Sequence, residues 1–228
     1  MRTGSTRPSA SARRSVAVLA LVLAGLGAGC RTGRPAFPRA DLSDAARGFV
    51  KIEELRLRAW APRRLKALFG VEVVPKLGAT QRGYLSLFWD GSASSMTWRT
   101  SLPVAGELAS GRISLGGGTN GLARLLSSRL SDADALSVLL GAPAEPCDGP
   151  VERDGGSLRF TTADRERVMV LGPGGEITAM ELPGAVEVRL EAGPDLPRRI
   201  DIRTGKGRAT LDLKEASPWE GPLPGDGS

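Results

Sequence analysis

The sequence predicts a mostly β (α+β) domain of antiparallel hairpins, about eleven strands with a short N-terminal helix and a two-helix insertion. Three observations predict it. Apolar and polar residues alternate in short segments such as Val186/Val188/Leu190, Ile200/Ile202 and Ala209/Leu211/Leu213, the pattern of strands with one buried face. Turn chemistry separates the segments, as in Asp90-Gly91-Ser92, Gly172-Pro173-Gly174-Gly175, Pro183-Gly184 and Thr204-Gly205-Lys206-Gly207. One Leu-rich stretch, 121–140, carries helical spacing instead.

The chain opens with Arg13-Arg14 followed by the apolar run 15–26. A bilayer-spanning helix needs about 20 apolar residues, so this run is too short and reads as the core of a signal peptide. Gly27, Ala28 and Gly29 lead into Cys30, which resembles the bacterial lipobox. Residues 1–29 would be removed, and Cys30 would become the acylated mature N-terminus. Leu26 stands four residues ahead of Cys30, one further than is usual. Ordinary secretion with cleavage near Ala28 is the alternative, and either way the protein is exported. Each buried acyl methylene adds about 0.8 kcal/mol of membrane affinity, so an acylated Cys30 tethers the domain to a membrane. Arg31 stands where an inner-membrane retention signal has Asp, so the expected site is the outer membrane, facing the periplasm.

Charge then looks different. The formal net charge is +6, but four of the 31 Lys and Arg residues (Arg2, Arg7, Arg13, Arg14) precede the cleavage site, leaving 27 against 25 acids. A chain that close to neutral has no bulk electrostatic reason to seek phosphate, so nucleic acid is not an expected partner.

After Cys30, the Pro-bearing segment 30–40 reads as a tether. Asp41 or Ser43 caps a short helix. Strands are expected around 54–60, 70–77, 84–90, 95–101 and 111–115, then 157–162, 167–172, 175–182, 186–191, 198–204 and 207–214. Between the two sets lie two helices. Leu122, Leu125, Leu126 and Leu130 define the first; Ser131 and Asp134 form a capping box opening the second, which carries Ala133, Leu136, Leu139 and Leu140 on one face and stops at Gly141, with Pro143 beyond. The domain runs from 41 to 215, and the Pro/Gly-rich end 216–228 is expected to be disordered.

Chemistry-bearing motifs are sparse. The chain has no His, which removes His-dependent triads, haem sites and most zinc sites. Neither a GxSxG elbow, an SxxK dyad nor a P-loop occurs. Gly116 to Gly121 satisfies GxGxxG, but two helices follow it instead of a βαβ unit, so it reads as a flexible turn. The neighbouring acids Glu53/Glu54 and Asp164/Glu166 read as solvated edges, and Cys147 lacks a base beside it. No catalysis, cofactor or metal is expected. Tyr84, Phe88, Trp89 and Trp98 fall on two neighbouring strands, where core packing is the ordinary outcome; Trp89 and Trp98 could equally line a cavity.

An acylated Cys, a short helix, an antiparallel sheet, a Leu-rich two-helix insertion and further hairpins together resemble the LolA/LolB-like superfamily of bacterial lipoproteins. The resemblance spans most of 42–215. It is most specific from Gly121 to Pro143 and returns in Leu196-Pro197-Arg198-Arg199-Ile200. It implies an open half-barrel of about eleven strands closed by helices, whose apolar interior receives acyl chains of another lipoprotein or a lipid. On that basis Leu122, Leu125, Leu126, Leu136, Leu139, Leu140, Trp89 and Trp98 are the candidate lipid-binding residues. The family's exposed Leu on a protruding loop has no counterpart in Asp90–Ser95. The expected function is non-catalytic binding or transfer of lipidated or apolar ligands by a monomer. The rival is a structural or partner-binding envelope lipoprotein in which the same residues fill a closed core.

Overall fold

The computed structural model describes residues 37–103, 106–115 and 130–221. Cys30, the GxGxxG stretch and the expected first insertion helix, with Leu122, Leu125 and Leu126, lie outside them. The described residues form one compact unit.

The chain enters along a strand edge. Arg39 bridges Glu152 in antiparallel fashion, the Ala40 N–H donates to the Val151 carbonyl at 3.1 Å, and the Arg153 N–H donates to the Pro38 carbonyl at 2.8 Å. Helix α1 (Leu42–Ala59) follows, with Asp41 as its N-cap accepting from the Asp44 N–H at 2.8 Å. It is 18 residues long, so the expected strand at 54–60 is a correction: those residues are the last turns of α1 and its C-cap, Trp60. Gly48, Ile52, Leu55 and Ala59 recur at spacings of four, three and four, and form the buried or half-buried stripe of a helix. Leu57, which completed the apparent alternation, is exposed. Glu53–Arg56 and Lys51–Glu54 pairs three residues apart support the same helix.

Eleven strands then form one antiparallel sheet. β1 (Arg64–Pro75), β2 (Gln81–Asp90), β3 (Ser95–Leu102) and β4 (Gly106–Ser114) precede the helical insertion. β5 (Val151–Asp154), β6 (Ser157–Thr161), β7 (Val168–Leu171), β8 (Ile177–Leu182), β9 (Val186–Glu191), β10 (Arg199–Thr204) and β11 (Gly207–Pro218) follow it. The spatial order is β4-β3-β2-β1-β11-β10-β9-β8-β7-β6-β5, so β1 and β11 join two meanders into an open sheet. The expected strand number stands because β5 replaces the segment lost to α1. Each hairpin turn named from the sequence closes a strand pair. Bulges at Leu68/Phe69, Thr100/Ser101 and Val170/Leu171 bend the ribbon. β11 runs past 215 to Pro218, and Trp219 then donates to the Arg64 carbonyl and packs edge-on against Phe88, ring centroids 5.4 Å apart.

One face of this sheet is apolar from end to end. Leu65, Ala67 and Phe69 of β1 stand opposite Trp89, Leu87 and Leu85 of β2, and the face continues through Met96, Trp98 and Ile113. On the other side it continues through Leu211, Ile200 and Leu190, then through Met180, Met169 and Phe160. Helix α2 (Asp132–Leu140) joins the same core. Its Ser131/Asp134 capping box and its stop at Gly141, left-handed at φ 67°, are those expected from the sequence.

Candidate functional site

Of the candidate lipid-binding residues, Leu136, Leu139, Leu140, Trp89 and Trp98 are described, and the fold brings them into one core. Leu136 and Leu139 are 0% exposed, and Trp89, Trp98 and Leu140 stay below 5%. Every residue of α2 except Ala133 is buried; the helix is covered on nearly all sides, as a plug within a concave sheet must be.

The tryptophans sit where the C-terminal end of α1 meets β2 and β3. Trp60, the C-cap of α1, meets Trp89 edge-to-face at 5.4 Å and 87°. Trp98 lies over Gly111 of β4, where an added Cβ would fall 3.0 Å from the indole. Among the described residues the buried indole N–H groups of Trp60, Trp89 and Trp98 have no acceptor, so this wall is apolar in shape but keeps donors in reserve.

Polar groups anchor α2 at its N-terminal end. Arg167, on the β6–β7 loop, donates Nε–H to Asp134 at 2.7 Å and also pairs with Asp164 at 3.2 Å. The Asp134 hydrogen bond holds the guanidinium above its usual pKa. Behind α2, Ser137 donates to the Ala133 carbonyl and accepts from the Ala144 N–H. Cys147 is buried nearby in sequence; burial, with Asp148 adding to it, pushes its thiol up to about 11, which leaves almost no thiolate at neutral pH. Among the described residues, no group of three or more potential ligands could hold a metal ion. None of the described helices is long and apolar enough to cross a membrane. Glu53 and Glu54 are taken up by Arg56 and Lys51, and Asp164 by Thr162 and Arg167.

Two features escaped the sequence reading. The β1–β2 turn carries Leu77, 91% exposed, at its tip. Its neighbour Lys76 is bonded to Lys206 of the β10–β11 turn at 2.9 Å, so the two turns form one projecting corner. A Leu between Lys76 and Gly78 was the available signal. The second feature is a pocket of about 300 Å³ between α1 and the β5–β6 and β7–β8 turns; its parts are far apart in sequence and no local motif announces it.

No family model matches the chain, and no curated protein matches it. Solved structures do. A LolA superfamily protein from Nitrosomonas europaea superposes with a TM-score of 0.50 at 10% identity, covering 76% of this chain and 94% of the other. A DUF1329 family protein from Desulfovibrio piger gives a TM-score of 0.37 at 9% identity, covering 78% and 94%. A Vibrio parahaemolyticus domain named for outer membrane lipoprotein sorting gives 0.36 at 11% identity, covering 80% and 96%. The first likeness carries the fold alone: this chain, like that protein, is built as an open antiparallel half-barrel.

Proposed function

We propose that this chain is a non-catalytic envelope lipoprotein, which binds or transfers acyl chains or similar apolar ligands on the concave face of its half-barrel. The observation that carries the proposal is the unbroken apolar face from Ile113 to Phe160, on which α1 packs through Phe49 against Phe160 and through Trp60 against Trp89, and whose core the buried helix α2 joins. Displacing the helices would expose that wall, and each acyl methylene laid on it would gain about 0.8 kcal/mol. The LolA-superfamily fold supports the same reading. Anchoring through acylated Cys30 at the outer membrane, facing the periplasm, completes it. Leu77 fits the role of a surface wedge at the transfer step, at the β1–β2 turn and not in Asp90–Ser95.

The test is to purify the full chain, extract it with organic solvent and measure bound acyl chains by mass spectrometry. Stoichiometric lipid supports the proposal. A chain that stays empty and fails to take up a fluorescent fatty acid contradicts it.

One observation favours a second reading. Leu136, Val138 and Leu139 are 0% exposed, which also suits a closed core in a structural or partner-binding lipoprotein. That reading requires that no ligand displace α2.

A further inference from the structure

The first turns of α1 face two glycine-bearing turns across the pocket of about 300 Å³. Asp44, Arg47, Gly48 and Lys51 recur at spacings of three, one and three, and so lie along one side of the helix. Gly48 lets α1 approach the sheet closely: an added Cβ would meet Phe160 at 2.3 Å and Leu158 at 3.0 Å. Leu158 and Leu171 are the apolar lining. Opposite the helix, Gly156 and Gly175 contribute no side chain, which keeps the pocket open, while at Gly172 an added Cβ would meet the Glu176 carboxylate at 2.8 Å.

Its lining carries three cations, Arg47, Lys51 and Arg153, and one acid, Asp44. Asp44 is shared by Arg47 and Arg153. Beyond the lining, Asp41 reaches Arg153 at 3.4 Å and Glu54 reaches Lys51 at 2.9 Å, both from solvent-exposed positions where screening is strong. A basic rim over an apolar lining suits a ligand with an anionic head and an apolar body.

The path of the chain indicates where that ligand comes from. Arg153 lines the pocket with its side chain and, through its backbone N–H, holds the Pro38 carbonyl. Residues 38–40 run antiparallel to β5, so the chain back toward Cys30 leaves from the end of β5 that leads into Gly156. Cys30 precedes Pro38 by eight residues, and at about 3.3–3.6 Å per residue that segment reaches at most about 30 Å.

We infer that this pocket binds the phosphate of an anionic phospholipid headgroup, seating the membrane-proximal end of the domain on the bilayer. The choice of a lipid source rests on anchoring at Cys30; Leu158 and Leu171 are the outer edge of the apolar face, and the head-binding groups lie beyond it.

The experiment uses the full chain in nanodiscs of phosphatidylcholine, with or without phosphatidylglycerol, read by amide hydrogen exchange at 154–157 and 172–175. Phosphatidylglycerol is expected to slow exchange several-fold at both turns, and inorganic phosphate added to phosphatidylcholine discs is not. Gly156→Glu is the deciding variant, because a Cβ there meets nothing closer than Pro173 at 4.0 Å and the backbone is unstrained; it places a carboxylate in the pocket and removes no charged side chain. It should abolish the protection with the far-UV spectrum unchanged, and Lys51→Gln should weaken it. Equal exchange in both discs, equal protection by free phosphate, or protection that survives Gly156→Glu overturns the inference. An empty acyl-binding face would not affect it.

Discussion

Asp134 and Arg167 meet at 2.7 Å, joining the N-terminal cap of α2 to the loop between β6 and β7. The Asp134 side chain is only 4% exposed and that of Arg167 22%. Asp134 also accepts from the backbone N–H and the hydroxyl of Ser131, so one carboxylate caps the helix and fastens it to the sheet. Removing one member of a buried pair costs about 3–5 kcal/mol, because its partner stays buried and uncompensated. Arg167→Ala should therefore destabilise the fold by about 3 kcal/mol in urea titration. Under the carrier reading it should also raise fatty-acid uptake, through weaker fastening of α2.

Gly48 is a helical glycine that cannot profit from alanine. In a helix interior, Gly→Ala normally gains about 1 kcal/mol. Here the new methyl would fall 2.3 Å from the Phe160 ring, and overpacking costs about 1–3 kcal/mol. Gly48→Ala should lower the melting temperature, whereas Gly48→Ala with Phe160→Leu should recover part of the loss. A single mutant more stable than wild type would show that α1 does not pack on β6 as described.

Acid should weaken the fold through carboxylates held below their usual range. Glu53 is lowered chiefly by its hydrogen bond from Arg56. Asp201 is raised by burial, but bonds from Arg199 and Thr210 outweigh this and leave it lowered. For a depressed pKa, the stabilisation is present above the unfolded value and is lost as pH falls through the folded one. Unfolding midpoints should thus be flat above about pH 5 and decline below the ordinary values of 4.5 and 3.8. Asp201→Asn should make the decline shallower.

Cys147 should be chemically silent in the native state. With its thiol pushed up to about 11 and the residue 7% exposed, iodoacetamide at pH 7.5 should leave it unmodified until urea unfolds the chain. Rapid native labelling of Cys147 would contradict its placement in the core.

Much of this architecture was legible where local chemistry decides it. The hairpin turns, the Ser131/Asp134 box and the Gly141 stop each depend on a few adjacent residues, and each is where the sequence put it. α1 was misread at its end because Leu55, Leu57 and Ala59 alternate with arginines as a strand would. The choice fell to the stripe that includes Gly48 and Ile52, which only the packed partner reveals. β5 was missed because Val151–Asp154 is short and half-polar; it exists through its pairing with β6 and the Arg39 bridge. The burial of Trp89 and Trp98 is one of the two outcomes their strand positions left open. The pocket beside Arg153 joins α1 to two distant turns, a tertiary juxtaposition that no window of sequence contains.

On the proposed reading, apolar chains occupy the concave face beneath the helices. Its most direct test is photocrosslinking of the full chain with a diazirine-bearing fatty acid, followed by peptide mapping. The account predicts adducts on β2, β3 and α2, at or beside Trp89, Trp98 and Leu139, and fewer of them when excess palmitate competes. Adducts confined to exposed apolar side chains such as Leu42, Leu57 and Leu77, or none that palmitate displaces, would contradict it.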